Sequence, residues 1–153
     1  MKLVKALTPY TCALACLESF FSDVGHQLDQ CGMLKNHPQF LTNSDPNKVH
    51  EYGATNDSQI VALCRHIGFK ADWFKDFRQV EVESAFTDAL QKKAGVLILS
   101  FWKNQWNHCV RLSQIKVPGA YEVMCPALQQ ATLEDVTFAD LVSWGFRFII
   151  VSK

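Results

Sequence analysis

The chain has 153 residues, of which 48% are hydrophobic and 20% charged. That is the length and composition of one globular domain with a substantial core. Fifteen Lys and Arg balance fifteen Asp and Glu. A net charge of zero argues against nucleic acid as the main partner, because phosphate binding needs a surplus of cations.

Thr8-Pro9 reads as a helix start, with Thr as cap and Pro at the first helical position. Leu14, Leu17, Phe21 and Val24 then recur at helical spacing, and Gly25 closes the segment. Residues 28–34 suit a short second helix. The polar stretch 35–52, with Pro38 and Pro46, reads as a long loop. Asn56-Asp57 caps a helix carrying Ile60, Val61, Leu63, Cys64 and Ile67, ended by Gly68. Residues 69–74 alternate as a strand does. Residues 82–92 form an amphipathic helix with Phe86 and Leu90 on one face.

From Gly95 onward the pattern is that of strands. Residues 95–99 are almost continuously apolar, as in a buried strand. A polar turn spans 103–107, and 108–115 alternate again. Pro118-Gly119 marks a turn, 121–124 a short strand. Thr137 and Asp140 have the spacing of a capping box for a last short helix, ended by Gly145. Residues 146–151 complete the set as a strand. Helices first and an antiparallel meander after them predict a single α+β domain over residues 1–153.

No stretch approaches the roughly 18–20 apolar residues of a membrane helix. The first nine residues are too short and broken for a signal-peptide core. The expectation is a cytoplasmic protein with no membrane or nucleic-acid partner. The cysteines are Cys12, Cys16, Cys31, Cys64, Cys109 and Cys125, with no C-x-x-C pair. In a core-rich chain without a leader, reduced thiols are expected rather than disulfides. The other histidines, His26, His37, His50 and His66, have no context that assigns them a role.

Two residues invite chemistry. Cys12 falls in the opening turns of the first helix, where partial positive charge and free N–H groups favour a thiolate and can hold an oxyanion. With His108 as a second influence favouring the thiolate, Cys12 is expected to be the thiol that alkylates first. His108 opens a strand after a polar turn, beside Trp106 and Asn107. A Cys and a His brought together by the fold suffice for thiol-based acyl transfer. Each taken alone is more often a packing residue.

The pattern around these residues resembles the bacterial double-glycine-leader peptidases, which trim bacteriocin precursors, and their stand-alone papain-like cysteine peptidase relatives. Thr11-Cys12-Ala13-Leu14-Ala15-Cys16-Leu17 is similar to the nucleophile motif of that family. Gly53-Ala54-Thr55-Asn56-Asp57, then Gly68-Phe69-Lys70-Ala71, is similar to its middle section. The strand from Gly95, then Asn107-His108-Cys109-Val110, resembles the segment bearing its His. Tyr121-Glu122-Val123-Met124-Cys125-Pro126 resembles the strand that usually ends in Asp-Pro. The resemblance implies a papain-like fold, a peptide or protein substrate, no cofactor and no catalytic metal.

Two positions depart from the family pattern. The oxyanion-hole Gln, six residues before the nucleophile, is Ala6 here. The third triad residue, an Asp before Pro, is Cys125, seventeen residues after His108. Loss of an oxyanion donor costs about 10²–10³ in rate. An orienting carboxylate is worth up to about 10⁴ in serine enzymes. Cysteine enzymes need the third group less, since a Cys–His ion pair is already charged.

Three functions follow. The first is a cysteine peptidase, amide hydrolase or acyltransferase using Cys12, His108 and Cys125, with Thr8, Tyr10, Gln105 or Asn107 replacing the missing Gln. The second is a degenerate papain-like domain that binds a peptide or protein. The third is a thiol site in which Cys12, His108 and Cys125 hold zinc, or Cys12 and Cys125 form a redox disulfide.

Overall fold

A computed structural model describes residues 1–40, 56–75 and 78–153. The 35–52 loop therefore lies outside the described residues from position 41 onward. So do His50 and the Gly53-Ala54-Thr55 part of the middle motif.

The helices are α1 (Cys12–Asp23), α2 (Gln30–Asn36), α3 (Asp57–Ile67), α4 (Gln79–Gln91) and α5 (Phe138–Ser143). The strands are β1 (Lys70–Phe74), β2 (Gly95–Trp102), β3 (Trp106–Val117), β4 (Ala120–Cys125), β5 (Thr132–Thr137) and β6 (Arg147–Ser152). They form one six-stranded sheet in the order β1-β6-β2-β3-β4-β5, with every neighbouring pair antiparallel. The mixed α+β expectation is met.

Helices cover both faces of this sheet. Leu97, Leu99, Cys109, Met124 and Ile149 pack against α1, α2 and α3 on one side. Val96, Ile98, Trp102, Val110, Val123 and Cys125 pack against α4 and α5 on the other. This is why β2 is apolar without alternation: all its residues but Phe101 are buried. Period-two patterning appears only where one face meets water.

Local chemistry explains most element ends. Asn56 and Thr137 each form a reciprocal capping box, with Gln59 and Asp140 respectively. Gly68 ends α3 at φ 112°, a conformation that residues with a Cβ rarely adopt.

Three differences from the sequence reading matter. First, α1 starts at Cys12 and not at Pro9. The Thr11 hydroxyl turns back to accept from the Thr8 N–H at 3.0 Å and donate to the Thr8 carbonyl at 3.3 Å. Residues 8–11 thus form a separate turn. Second, β3 begins at Trp106, so Asn107 and His108 lie within the strand and the turn shrinks to 103–105. Third, residues 132–137 form a strand, β5, that the sequence pattern does not signal. It is an edge strand in which Val136 alone is buried.

Gly95 sits where β2 meets α1. A Cβ there would lie 2.7 Å from Phe20 Cδ1 and 2.8 Å from its Cγ. Phe20 is fully buried, so its ring has little room to yield. Gly95→Ala is expected to destabilise the fold by about 1–3 kcal/mol. Urea unfolding measures this, and adding Phe20→Leu should return part of the loss.

Candidate functional site

The N-terminal segment, the start of α1, the first residues of β3 and the chain after β4 surround one cavity of about 800 Å³. Two of its lining residues are joined through the backbone, the Ala6 N–H donating to the Ala127 carbonyl at 3.1 Å. Cys12, His108 and Cys125 all line it, as do Thr8, Tyr10 and Asn107. Ala6, where the sequence resemblance would place a Gln, also lines it and offers no side-chain donor. Gln105 does not; it sits exposed in the β2–β3 turn.

Cys12 is the first residue of α1, and Thr11 makes no side-chain cap. Because Thr11 is bonded back to Thr8, no hydroxyl covers the first-turn amides, and the first turn carries no acid. The helix N-terminus therefore keeps its positive end open toward the cavity.

His108 is held by β3. Its Nε2 is 3.1 Å from Cys125 Sγ, a contact between the third residue of β3 and the last of β4. The imidazole packs edge-on against Trp102 and Trp106, at centroid distances of 5.8 and 6.0 Å. Its Nδ1 is the ring nitrogen left over. Cys12 packs with the α1-side core, close to Cys109. His108 belongs with the α4-side residues Trp102 and Cys125. The cavity spans the end of the sheet where these two sets meet.

Electrostatics correct the expectation for Cys12. Burial, followed by the neighbouring Cys109 thiol, pushes its pKa up to about 12. The amides of Cys109, Ala13 and Cys12 itself work in the opposite direction and are outweighed. Burial lowers His108 to about 4; Glu134 pulls it back up and Lys103 pushes it further down. Two of the cavity's groups are thus un-ionised at rest, the Cys12 thiol and the His108 imidazole. The Cys125 thiol is raised by burial and then by the nearby Glu134 carboxylate.

All six cysteines are free, and Cys31 is the exposed one. Limited iodoacetamide treatment at pH 7 should therefore label Cys31 ahead of Cys12, reversing the order expected from the helix end and His108. Peptide mass spectrometry reads this directly.

Two polar residues at the site carried no sequence signal. Ser100 lies on β2 opposite His108, lines the cavity, and its buried Oγ has no hydrogen-bond partner. Glu134 stands on the unanticipated β5. Among the described residues, no three His, Cys, Asp or Glu side chains are arranged to hold a metal ion. No helix among the described residues is long and apolar enough to cross a membrane.

No family model matches this chain, and no curated protein matches it. Among solved structures it is similar to the Pseudomonas avirulence protein AvrPphB, at 10% identity and a TM-score of 0.45, over 100% of this chain and 97% of that one. A likeness that distant decides neither fold nor function.

Proposed function

We propose that this domain is a papain-like cysteine hydrolase that cleaves a peptide or related amide bond, or transfers its acyl group, with Cys12 as nucleophile and His108 as proton carrier. The observation that carries this reading is one cavity lined by Cys12, His108 and Cys125, with Nε2 of His108 anchored on Cys125. That anchor leaves Nδ1 to take the Cys12 proton as sulfur attacks the carbonyl carbon. The developing oxyanion is stabilised by the uncapped amides at the start of α1. Collapse breaks the C–N bond, and the imidazolium returns its proton to the leaving amine. Water, deprotonated by the same imidazole, then releases the acyl group from Cys12.

The cavity walls favour an uncharged, partly apolar substrate segment. Trp106 and Leu128 are each about half exposed at its rim. The lining cation Arg147 is already paired with Asp57 at 2.9 Å. Incubation with a peptide library, read by mass spectrometry in wild type and Cys12→Ala, tests the assignment. Cleavage that persists in Cys12→Ala overturns it.

The second reading is a domain that keeps the groove and has given up turnover. Ala6 and the un-ionised thiol–imidazole pair favour it. It expects peptide binding of equal strength in wild type and Cys12→Ala, with no cleavage in either.

A further inference from the structure

The family's carboxylate is missing from position 125, yet a carboxylate stands one residue pair away. Glu134 faces Val123 across the β4–β5 ladder, and Cys125 faces Thr132. Opposed residues share a sheet face, and so do residues two apart on a strand. Glu134 therefore lies diagonal to Cys125 on the same face, within reach of a long side chain. Lys103, from the β2–β3 turn, holds the Glu134 carboxylate at 3.5 Å. Nε2 of His108 lies 3.1 Å from Cys125 Sγ.

We propose that Glu134 is a positioning residue for His108, acting through the Cys125 thiol as a relay. A carboxylate only accepts hydrogen bonds, while a thiol has one proton to donate and a sulfur that accepts weakly. One proton order satisfies the row: the Cys125 S–H donates to Glu134, and Nε2–H of His108 donates to the Cys125 sulfur. The relay thus selects the Nε2–H tautomer, which puts the imidazole lone pair on Nδ1, where the Cys12 proton must go. The carboxylate charge also favours the imidazolium formed during attack. The ionisation directions agree, since Glu134 disfavours the Cys125 thiolate and favours protonated His108.

The titrating and charged groups around the ring come from every neighbouring element. They are Cys12 on α1, Cys125 on β4, Glu134 on β5 and Lys103 in the turn, with Arg147 and its partner Asp57 across the cavity. Lys103 opposes Glu134, so the two variants should shift His108 in opposite directions.

The catalytic meaning of the relay rests on the hydrolase reading, but its existence can be tested without turnover. Two-bond ¹⁵N–¹H NMR of ¹⁵N-histidine-labelled protein reports the His108 tautomer and pKa. Wild type should show Nε2–H. Glu134→Leu should lose that preference. Glu134→Gln should lower the His108 pKa by about one unit, and Lys103→Met should raise it. In Cys125→Asp the new carboxylate accepts Nε2–H directly, so a further Glu134→Gln should leave the tautomer unchanged. If wild type hydrolyses a peptide, Glu134→Gln should lower kcat about tenfold at constant KM, and do nothing in a Cys125→Ala background. A His108 whose tautomer and pKa ignore both Glu134 variants overturns the relay, whatever the activity. A relay seen by NMR in a protein that cleaves nothing overturns the hydrolase reading alone.

Discussion

Replacing Cys12 with alanine is expected to lower peptide hydrolysis by at least about 10⁴-fold while leaving the fold in place. The activity loss follows from removing the group that bonds to the substrate, for which the cavity has no substitute in reach of the α1 amides. Cys16 is buried one turn further along the same face of α1, with its thiol donating to the Cys109 carbonyl. Cys109 is buried and its thiol is held well above its ordinary range, first by desolvation. The fold should survive because Cys12 is the first helical residue, is partly buried, and alanine is the best helix former. Thermal unfolding of the two proteins controls for this. A variant that melts with wild type and has lost turnover assigns the nucleophile. The pH profile adds a mechanistic check. With Cys12 near 12 and His108 near 4, neither group changes charge in the resting site between those values. kcat/KM should then be flat across the neutral range, because proton transfer accompanies attack rather than preceding it. A rise with an apparent pKa near 7 would indicate a preformed thiolate, and with it a site more hydrated than the structure has it.

What the sequence made legible was local. Asn56, Gly68, Thr137 and the Gly95–Leu99 run place element ends and a doubly buried strand, because capping and burial leave marks within a few residues. The association of Cys125 with His108 comes from no local mark; only the resemblance to the double-glycine-leader peptidases implies it. What was not legible depends on distant chain. β5, Thr132–Thr137, is half polar with one buried residue, so neither its strand nor Glu134 stands out from a loop. The Thr8–Thr11 turn imitates a helix start, and only the Thr11 hydroxyl bonds reveal that the helix waits until Cys12. The ionisation of Cys12 is illegible in the sequence for a related reason. A helix end is visible in sequence, whereas the burial that overrides it involves chain roughly a hundred residues away, such as Cys109 on β3.

That same desolvation makes His108 a determinant of acid stability. Its pKa is lowered from 6.5 to about 4, with burial the main cause. Above pH 6.5 the imidazole is neutral both folded and unfolded, and it costs nothing. As pH falls from 6.5 toward 4, the unfolded chain binds a proton that the folded protein does not, so the unfolded state gains relative stability. Stability therefore drops through this window and levels off below about pH 4, where both states are protonated. The shift corresponds to about 2–3 kcal/mol for a ring that keeps some contact with the cavity. His108→Gln has no titrating ring, so its stability should exceed that of wild type progressively more as the solution is acidified. His37 is also lowered, by burial and then by His66, but it is present in both proteins and cancels in the comparison. Urea unfolding of the pair at pH 7.5, 6, 5 and 4 would display the divergence. Parallel curves over that range would mean that the imidazole is hydrated in solution. The neutral Cys12–His108 pair, and the concerted proton transfer that depends on it, would fall with that result.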